Sequence, residues 1–321
     1  MMNRSGFTLV ELLVTILIAG ILLVIIAGVV DSSSKLTNKD MGQMNASQNA
    51  QGALDMILND VRNAGENLDT TIGVSGLEIS DTNKEILIRK NITVADRTLI
   101  TRLPICAVSG TTIQVNGTPP SGTSTLCTYG DADANGDDDN VQRWRTVFDA
   151  QPGVAQSAIL YTPPTTTGGT GQVARVRINT LGVRTGIGTT ASPYRTYITL
   201  SASSPSGFTL ANNSQVILVD ERRYKVTNDN LVLALGGQTD AEAQIVAFGV
   251  TDLDLLADLV NPTATTTTIG LTGPWARIKT VQVKLLARTS DQTATPVVTK
   301  EYTGTMYPRN VASAASNLTT P

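Results

Sequence analysis

The octapeptide Gly6-Phe7-Thr8-Leu9-Val10-Glu11-Leu12-Leu13 opens an apolar run that continues to Val30 and holds a single charged residue, Glu11. The run covers residues 7–30, and about 20 apolar residues suffice for a helix to cross the hydrocarbon core of a bilayer. An ordinary secretory signal is cut after its apolar segment, behind small residues. No convincing signal of that kind follows Val30, where Asp31-Ser32-Ser33-Ser34-Lys35 stands, so the run is expected to remain in the mature protein. Arg4 and the amino terminus would hold the short polar leader, Met1 to Gly6, on the cytoplasmic side, with the rest exported. A carboxylate near the end of such a helix is costly unless paired, and acids in that setting are usually functional. Glu11 is therefore the first candidate residue.

The helical pattern continues past the membrane length. Met41, Met44, Gln51, Leu54, Leu58 and Val61 fall mostly three and four apart, which predicts a stripe facing a globular head. Gly65 is placed to terminate the helix. Residues 7–64 would then form one rod about 87 Å long at ~1.5 Å per residue, weakened locally at Gly20 and Gly28. From Ile72 onward the pattern changes to short runs of period two separated by Gly, Pro, Asn and Thr clusters. The clearest strands are 85–89, 173–178, 215–219 and 278–286, while Thr162 to Gly171 and Pro262 to Thr268 read as surface loops. The expectation is an α+β fold: a long N-terminal helix, transmembrane in its first half and amphipathic in its second, packed on an antiparallel β-rich head. The divisions are 1–6, 7–64 (7–30 transmembrane) and 65–321.

Composition narrows the chemistry. The chain has 321 residues, 41% of them hydrophobic, enough for a sizeable core. Net charge is -3 and the pI about 5.1, so no global attraction draws the protein to nucleic acid. Histidine is absent, which removes the commonest general base and transition-metal ligand and excludes Ser-His-Asp triads. Two cysteines, Cys106 and Cys127, are too few for a cysteine-only zinc site or an iron–sulfur cluster. Their structural use is a disulfide in an oxidising compartment, the alternative being two buried thiols. The loop they would close is rich in turn residues, and a bridge there is worth about 3 kcal/mol in a chain-entropy estimate. Paired carboxylates can hydrolyse glycosides without histidine, but no pair is singled out, and Asp69-Thr70-Thr71 resembles an aspartic protease motif only loosely, lacking its glycine. No enzymatic activity is expected.

The segment from Gly6 to Leu13, with the apolar helix behind it, resembles the prepilin cleavage and methylation motif of type IV pilins and pseudopilins. The resemblance implies cleavage between Gly6 and Phe7 by a prepilin peptidase, N-methylation of Phe7, and an assembly role for Glu11, whose partner in that family is the new amino group of a neighbouring subunit. Many major pilins carry a proline where Gly28 stands. In the head the chain is similar to PilW-type minor pilins, with GspJ-type pseudopilins as nearby relatives. That likeness rests on Leu58-Asn59-Asp60-Val61-Arg62-Asn63-Ala64-Gly65, on Arg222-Arg223-Tyr224-Lys225-Val226 with Asn230 to Val232, and on Trp275 to Arg288 followed by Tyr302 to Asn310. Phe248-Gly249 sits where an aromatic-Gly turn is common, but Val250 to Asp254 replaces the acidic loop usual just after it. The implied function is a minor pilin that helps initiate or assemble type IV pili for adhesion, twitching motility or DNA uptake. The alternatives are a type II secretion pseudopilin and a pilus-borne DNA or surface receptor. The implied partners are other pilin subunits, prepilin peptidase, the inner membrane and the assembly machinery. The head would be periplasmic, then on the pilus or cell surface.

Two further constellations are candidate sites. Asp131, Asp133, Asn135, Asp137 and Asp139 have the crowded, alternating oxygens of a calcium loop, with Gly136 at its turn. Gln142 cannot supply the usual twelfth-position carboxylate, and no helix signal flanks the segment, so a solvated acidic turn is the competing reading. No cofactor is required and Ca2+ is the one candidate. From Val141 to Lys225 there are nine Lys/Arg and three Asp/Glu. Arg175, Arg177, Arg222 and Arg223 are the candidate DNA contacts, against the ordinary reading of solvated or acid-paired strand arginines with few aromatics for stacking.

Overall fold

The computed structural model describes residues 9–69, 72–80, 82, 84–92, 102–116, 127, 130–131, 138–164, 171–186, 194–202, 213–260, 263–288 and 299–311, apart from the helix side chains at 38, 39, 42 and 43. Helix α1 spans Leu9–Asn63 without a break at Gly20 or Gly28. Its 55 residues make a rod of about 80 Å. The first proline of the chain is Pro104, so nothing in the helix removes a backbone donor.

Gly65 ends the rod in a left-handed conformation, φ 73°, and its amide donates to the Arg89 carbonyl at 2.8 Å. The last carbonyls of α1 are met from the far end of the chain. The Arg309 amide donates to Arg62 O and the Asn310 side-chain amide to Ala64 O, each at 3.0 Å, which satisfies acceptors that a helix end leaves open.

The buried apolar stripe of α1 is Ala50, Ala53, Leu54, Ile57 and Val61, continued by Ala64 just past its end. This shifts the expected face: Leu54 and Val61 are on it and Leu58 is half-buried beside it, whereas Met41 and Met44 are exposed and so is Gln51. The head begins to cover the helix at Ala50, and alanines there allow sheets to approach closely, so large side chains further up are not recruited. Burying Ile57 and Val61 contributes about 1.5–3 kcal/mol each.

The head is built from β1 (Leu77–Ser80), β2 (Glu85–Asn91), β3 (Leu103–Pro104), β4 (Ala107–Ser109), β5 (Thr112–Gln114), α2 (Asp139–Ala150), β6 (Gln156–Thr162), β7 (Gln172–Leu181), β8 (Tyr197–Leu200), β9 (Gln215–Thr227), β10 (Asn230–Leu235), β11 (Gln244–Phe248), β12 (Val250–Leu259), β13 (Ala264–Thr266), β14 (Ile278–Arg288) and β15 (Thr299–Met306). A 3-10 turn, Trp275–Arg277, precedes β14. The larger sheet runs β1-β2-β9-β6-β7-β8-β5-β4, with β3 and β10 also on β9 and β11 on β10; the smaller runs β13-β12-β14-β15. Every described strand pair is antiparallel. The fold is thus α+β, and the four clearest sequence strands are β2, β7, β9 and β14.

Strand β9 is the spine of the larger sheet. Val216 and Leu218 pack with Val141 and Trp144 of α2, and Tyr224, on the same face by strand parity, packs with Ile57 and Val61 of α1. Two helices therefore share one face of the sheet. The smaller sheet closes over α1 with Leu253, Leu255, Val281, Val283 and Leu285. Asn228 and Asp229, both at positive φ, form the tight β9–β10 turn, the geometry that matches strand twist.

Two expectations are corrected. Pro262 to Thr268 is not entirely loop, because β13 pairs with β12 in the register Leu259↔Ala264; threonines suit an edge strand. The acidic segment is flanked by a helix after all. Asp138 caps α2, accepting from the Asn140 and Val141 amides at 3.0 and 3.4 Å and from the Gly130 amide at 2.9 Å. A carboxylate at this position satisfies open amides and faces the positive end of the helix.

Candidate functional site

Among the described residues nothing covers the first half of α1. Leu9–Thr37 is long and apolar enough to cross a membrane and none of it is buried. It is the one such helix among the described residues. Large side chains such as Leu9, Leu17, Leu23 and Val24 are all more than half exposed. A continuous apolar surface of this size marks a membrane or protein contact. Glu11 sits in the first turn of the helix, where the helix dipole favours a negative charge. Gly6 and Phe7 lie outside the described residues. At the far end of the span Lys35 and Asp31 form an i,i+4 pair at 2.7 Å, too exposed to add much stability.

The lower half of α1 is joined to the head by a polar clasp in an apolar core. Asp60 accepts from Arg222 Nη1 at 2.8 and 3.1 Å and from the Tyr224 hydroxyl at 2.5 Å. Tyr224 is fully buried. Burial first, and then the Asp60 carboxylate, push its phenol above its ordinary value of 10.0. A raised pKa means that the folded protein keeps a proton which the unfolded chain releases near pH 10. The stability tied to this proton is therefore complete below about pH 10 and falls as pH rises further. Tyr224→Phe is expected to cost about 1.5–3 kcal/mol at neutral pH, the range for a hydrogen bond to a charged group. It should also flatten the loss of stability above pH 10, a loss that alkaline denaturation curves of the two proteins would compare. Equal alkaline slopes would refute the assignment.

Cys106 and Cys127 are joined in a disulfide across a sequence separation of 21, as the cysteine count predicts. It ties the β4–β5 hairpin to the segment leading into α2. Of the calcium candidates, Asp133, Asn135 and Asp137 lie outside the described residues. Asp139 is the first residue of α2. Among the described residues no group of three or more acids or thiols is placed to hold a metal.

The arginines do not form one surface. Arg222 points to the α1 face, as its contacts with Asp60 show. Arg223, its neighbour on β9, points to the other, with Asp240 at 2.7 Å and Glu85 at 3.9 Å. Arg175 and Arg177 share a face of β7, and Arg177 lies 3.9 Å from Glu242. Burial raises the Glu85 carboxyl against the opposing pull of Arg223 and Arg175, while the Lys225 ammonium bonded to Asp240 lowers that acid. Acids thus interleave with the bases.

Sequence reasoning missed the roles of Asp60 and Tyr224, and of the buried trio Arg89, Glu221 and Ser157. Asp60 had one visible signal: it lies three residues after Ile57, on the stripe that an amphipathic helix buries.

Residues 1–27 match the family model described as the prokaryotic N-terminal methylation motif, which supports a type IV pilin-like or pseudopilin-like chain anchored in a membrane. No curated protein matches the chain. No solved structure matches it either.

Proposed function

We propose that the chain is a minor pilin of the PilW type, a non-enzymatic subunit that helps initiate or assemble a type IV pilus. The observation that carries this reading is the methylation motif over residues 1–27 running directly into an uncovered apolar helix whose one charge before Asp31 is Glu11. On this reading residues 1–6 are a leader removed between Gly6 and Phe7. Residues 7–64 are the assembly helix, and residues 65–321 are a head exported to the periplasm and carried onto the filament. Other pilins and the prepilin peptidase are the partners.

The physics of assembly follows from placing one acid in an oily rod. In the bilayer Glu11 is costly, and the methylated amino group of Phe7 on an adjacent subunit would neutralise it. Correct register is then the arrangement that leaves no isolated charge. The long α1 surface supplies the non-directional part of the association and the charge pair supplies its alignment.

Mass spectrometry of the native N-terminus tests the proposal, with a chain beginning at methylated Phe7 as the expected result. A mature chain that retains Met1 to Gly6 would overturn it. Glu11→Ala is expected to be processed normally yet recovered in sheared filaments at a small fraction of the wild-type amount. Undiminished incorporation would remove Glu11 from the assembly role.

A further inference from the structure

Between the turn that follows α1 and the end of α2, over the larger sheet, lies a cleft of about 400 Å3. That volume lies within the ordinary range of small-molecule sites, ~300–1,000 Å3. Its floor is Lys90, Asp220 and Arg222; Glu66 and Asn67 wall it from the turn after α1, and Val147 and Gln151 from the end of α2. The cleft lies at the seam between the core under α1 and the core under α2, where the apolar alternation of β9 is interrupted by charge.

The chemistry of the lining selects a class of ligand. Lys90 pairs with Asp220 at 3.3 Å and Arg222 with Asp60 at 2.8 Å, so neither cation is left to attract an anion. With Glu66 and Asp220 against Lys90 and Arg222, the lining is balanced in charge. What it offers is hydrogen-bonding capacity: Asn67, Asn91, Gln151 and Gln156 all line it, with Asn91 Nδ2 already donating to Asn67 O and Gln156 Nε2 to Gln151 Oε1 and Val154 O. An amide carries both a donor and an acceptor, and a hydroxyl group complements either. No aromatic ring is among the described lining residues, which disfavours flat bases that need a stacking surface. Ile92, Val147 and Leu235 provide small apolar patches instead, suited to the C–H faces of a puckered ring.

We infer that this cleft binds a neutral saccharide unit, held by planar amides and charge-paired side chains that match its hydroxyls. The inference goes beyond assembly and does not depend on it. The test uses the full chain in phosphatidylcholine nanodiscs, which contain no sugar. Glucose, galactose, N-acetylglucosamine and lactose are titrated by calorimetry and by saturation-transfer NMR.

Saturable binding of at least one of these sugars is expected, weakened about fivefold or more by Gln151→Ala and by Asn67→Gly, the effect of losing one hydrogen bond. Asn67 has φ 55°, so glycine fits its backbone without strain, and an unchanged melting profile would show that the fold persists. Absence of binding to all four sugars, or binding unaltered in both variants, would overturn the inference. Binding of inorganic phosphate or triglycine in place of sugars would overturn it as well, reassigning the cleft to an anion or a peptide. None of these results alters whether the N-terminus is processed at Phe7, so the two readings fail separately.

Discussion

Arg89→Met is expected to destabilise the head by about 3–5 kcal/mol, the range for removing one partner of a buried ion pair. The guanidinium is fully buried. Its Nε donates to Glu221 at 2.9 Å, its Nη2 to Glu78 at 2.5 Å and its Nη1 to the Ser75 carbonyl at 3.4 Å. Glu221 is itself buried, and its carboxylate otherwise accepts only from the Ser157 hydroxyl, at 3.1 Å, among its described contacts. Methionine fills much of the volume but supplies no donor, so a carboxylate remains in a low-dielectric site with one neutral hydrogen bond. The cost comes mainly from that stranded charge.

It follows that Arg89→Met combined with Glu221→Gln should recover most of the loss, because an amide keeps the Ser157 contact and carries no charge. Denaturation midpoints of the three proteins measure this. A single variant within about 1 kcal/mol of wild type, or a double variant no better than the single, would show that the pair does not hold the strand register Arg89↔Glu221 energetically.

Gly65→Ala should cost about 2–5 kcal/mol, from two separable sources. A residue with a side chain at φ 73° is strained by roughly 1–2 kcal/mol. The added methyl would also overlap Cζ2 of Trp275 and lie 2.8 Å from its Cε2, and overpacking of this kind costs typically ~1–3 kcal/mol. Gly73 provides the control: its φ is 68°, but nothing lies within 4 Å of the place its methyl would take. Gly73→Ala should therefore show only the strain. Displacement of the Trp275 ring would appear as a fluorescence change in the Gly65 variant alone. Equal effects at the two positions would mean that the indole has room to move.

The two predictions concern one junction. Gly65 bonds to the Arg89 carbonyl, and Trp275 closes over the helix end. Helix α1 is thus fixed to the head through a turn whose Gly65 position is crowded by Trp275 and a strand anchored by a buried cation. A pull along α1 would be carried into the larger sheet through this turn and through the Asp60 clasp to Arg222 and Tyr224.

The long helix was legible because its cause is local: apolar residues without proline over a membrane's length, then a glycine. Strands β2, β7, β9 and β14 were legible from period-two alternation. The disulfide followed from a count of two cysteines. Helix α2 was hidden because its cap, Asp138, is one of five aspartates in a segment whose spacing also suits a cation. β13 was hidden because a threonine-rich segment after a proline reads equally as loop. Above Leu54 the periodicity points to the wrong residues for the helix stripe, since the place where the head begins to cover α1 is not written in it.

By itself the amino-acid order determined that an apolar rod bearing one acid precedes a β-rich body, because those features depend on neighbours a few residues apart. Only the tertiary structure decided which polar groups are buried together. Asp60 meets Arg222 across 162 positions and Arg89 meets Glu221 across 132. Such partners are chosen by strand order and register, which bring distant residues into a low-dielectric interior where an unpaired charge is too costly to persist. The cleft over the larger sheet has the same origin, as a gap left where two cores meet on one sheet.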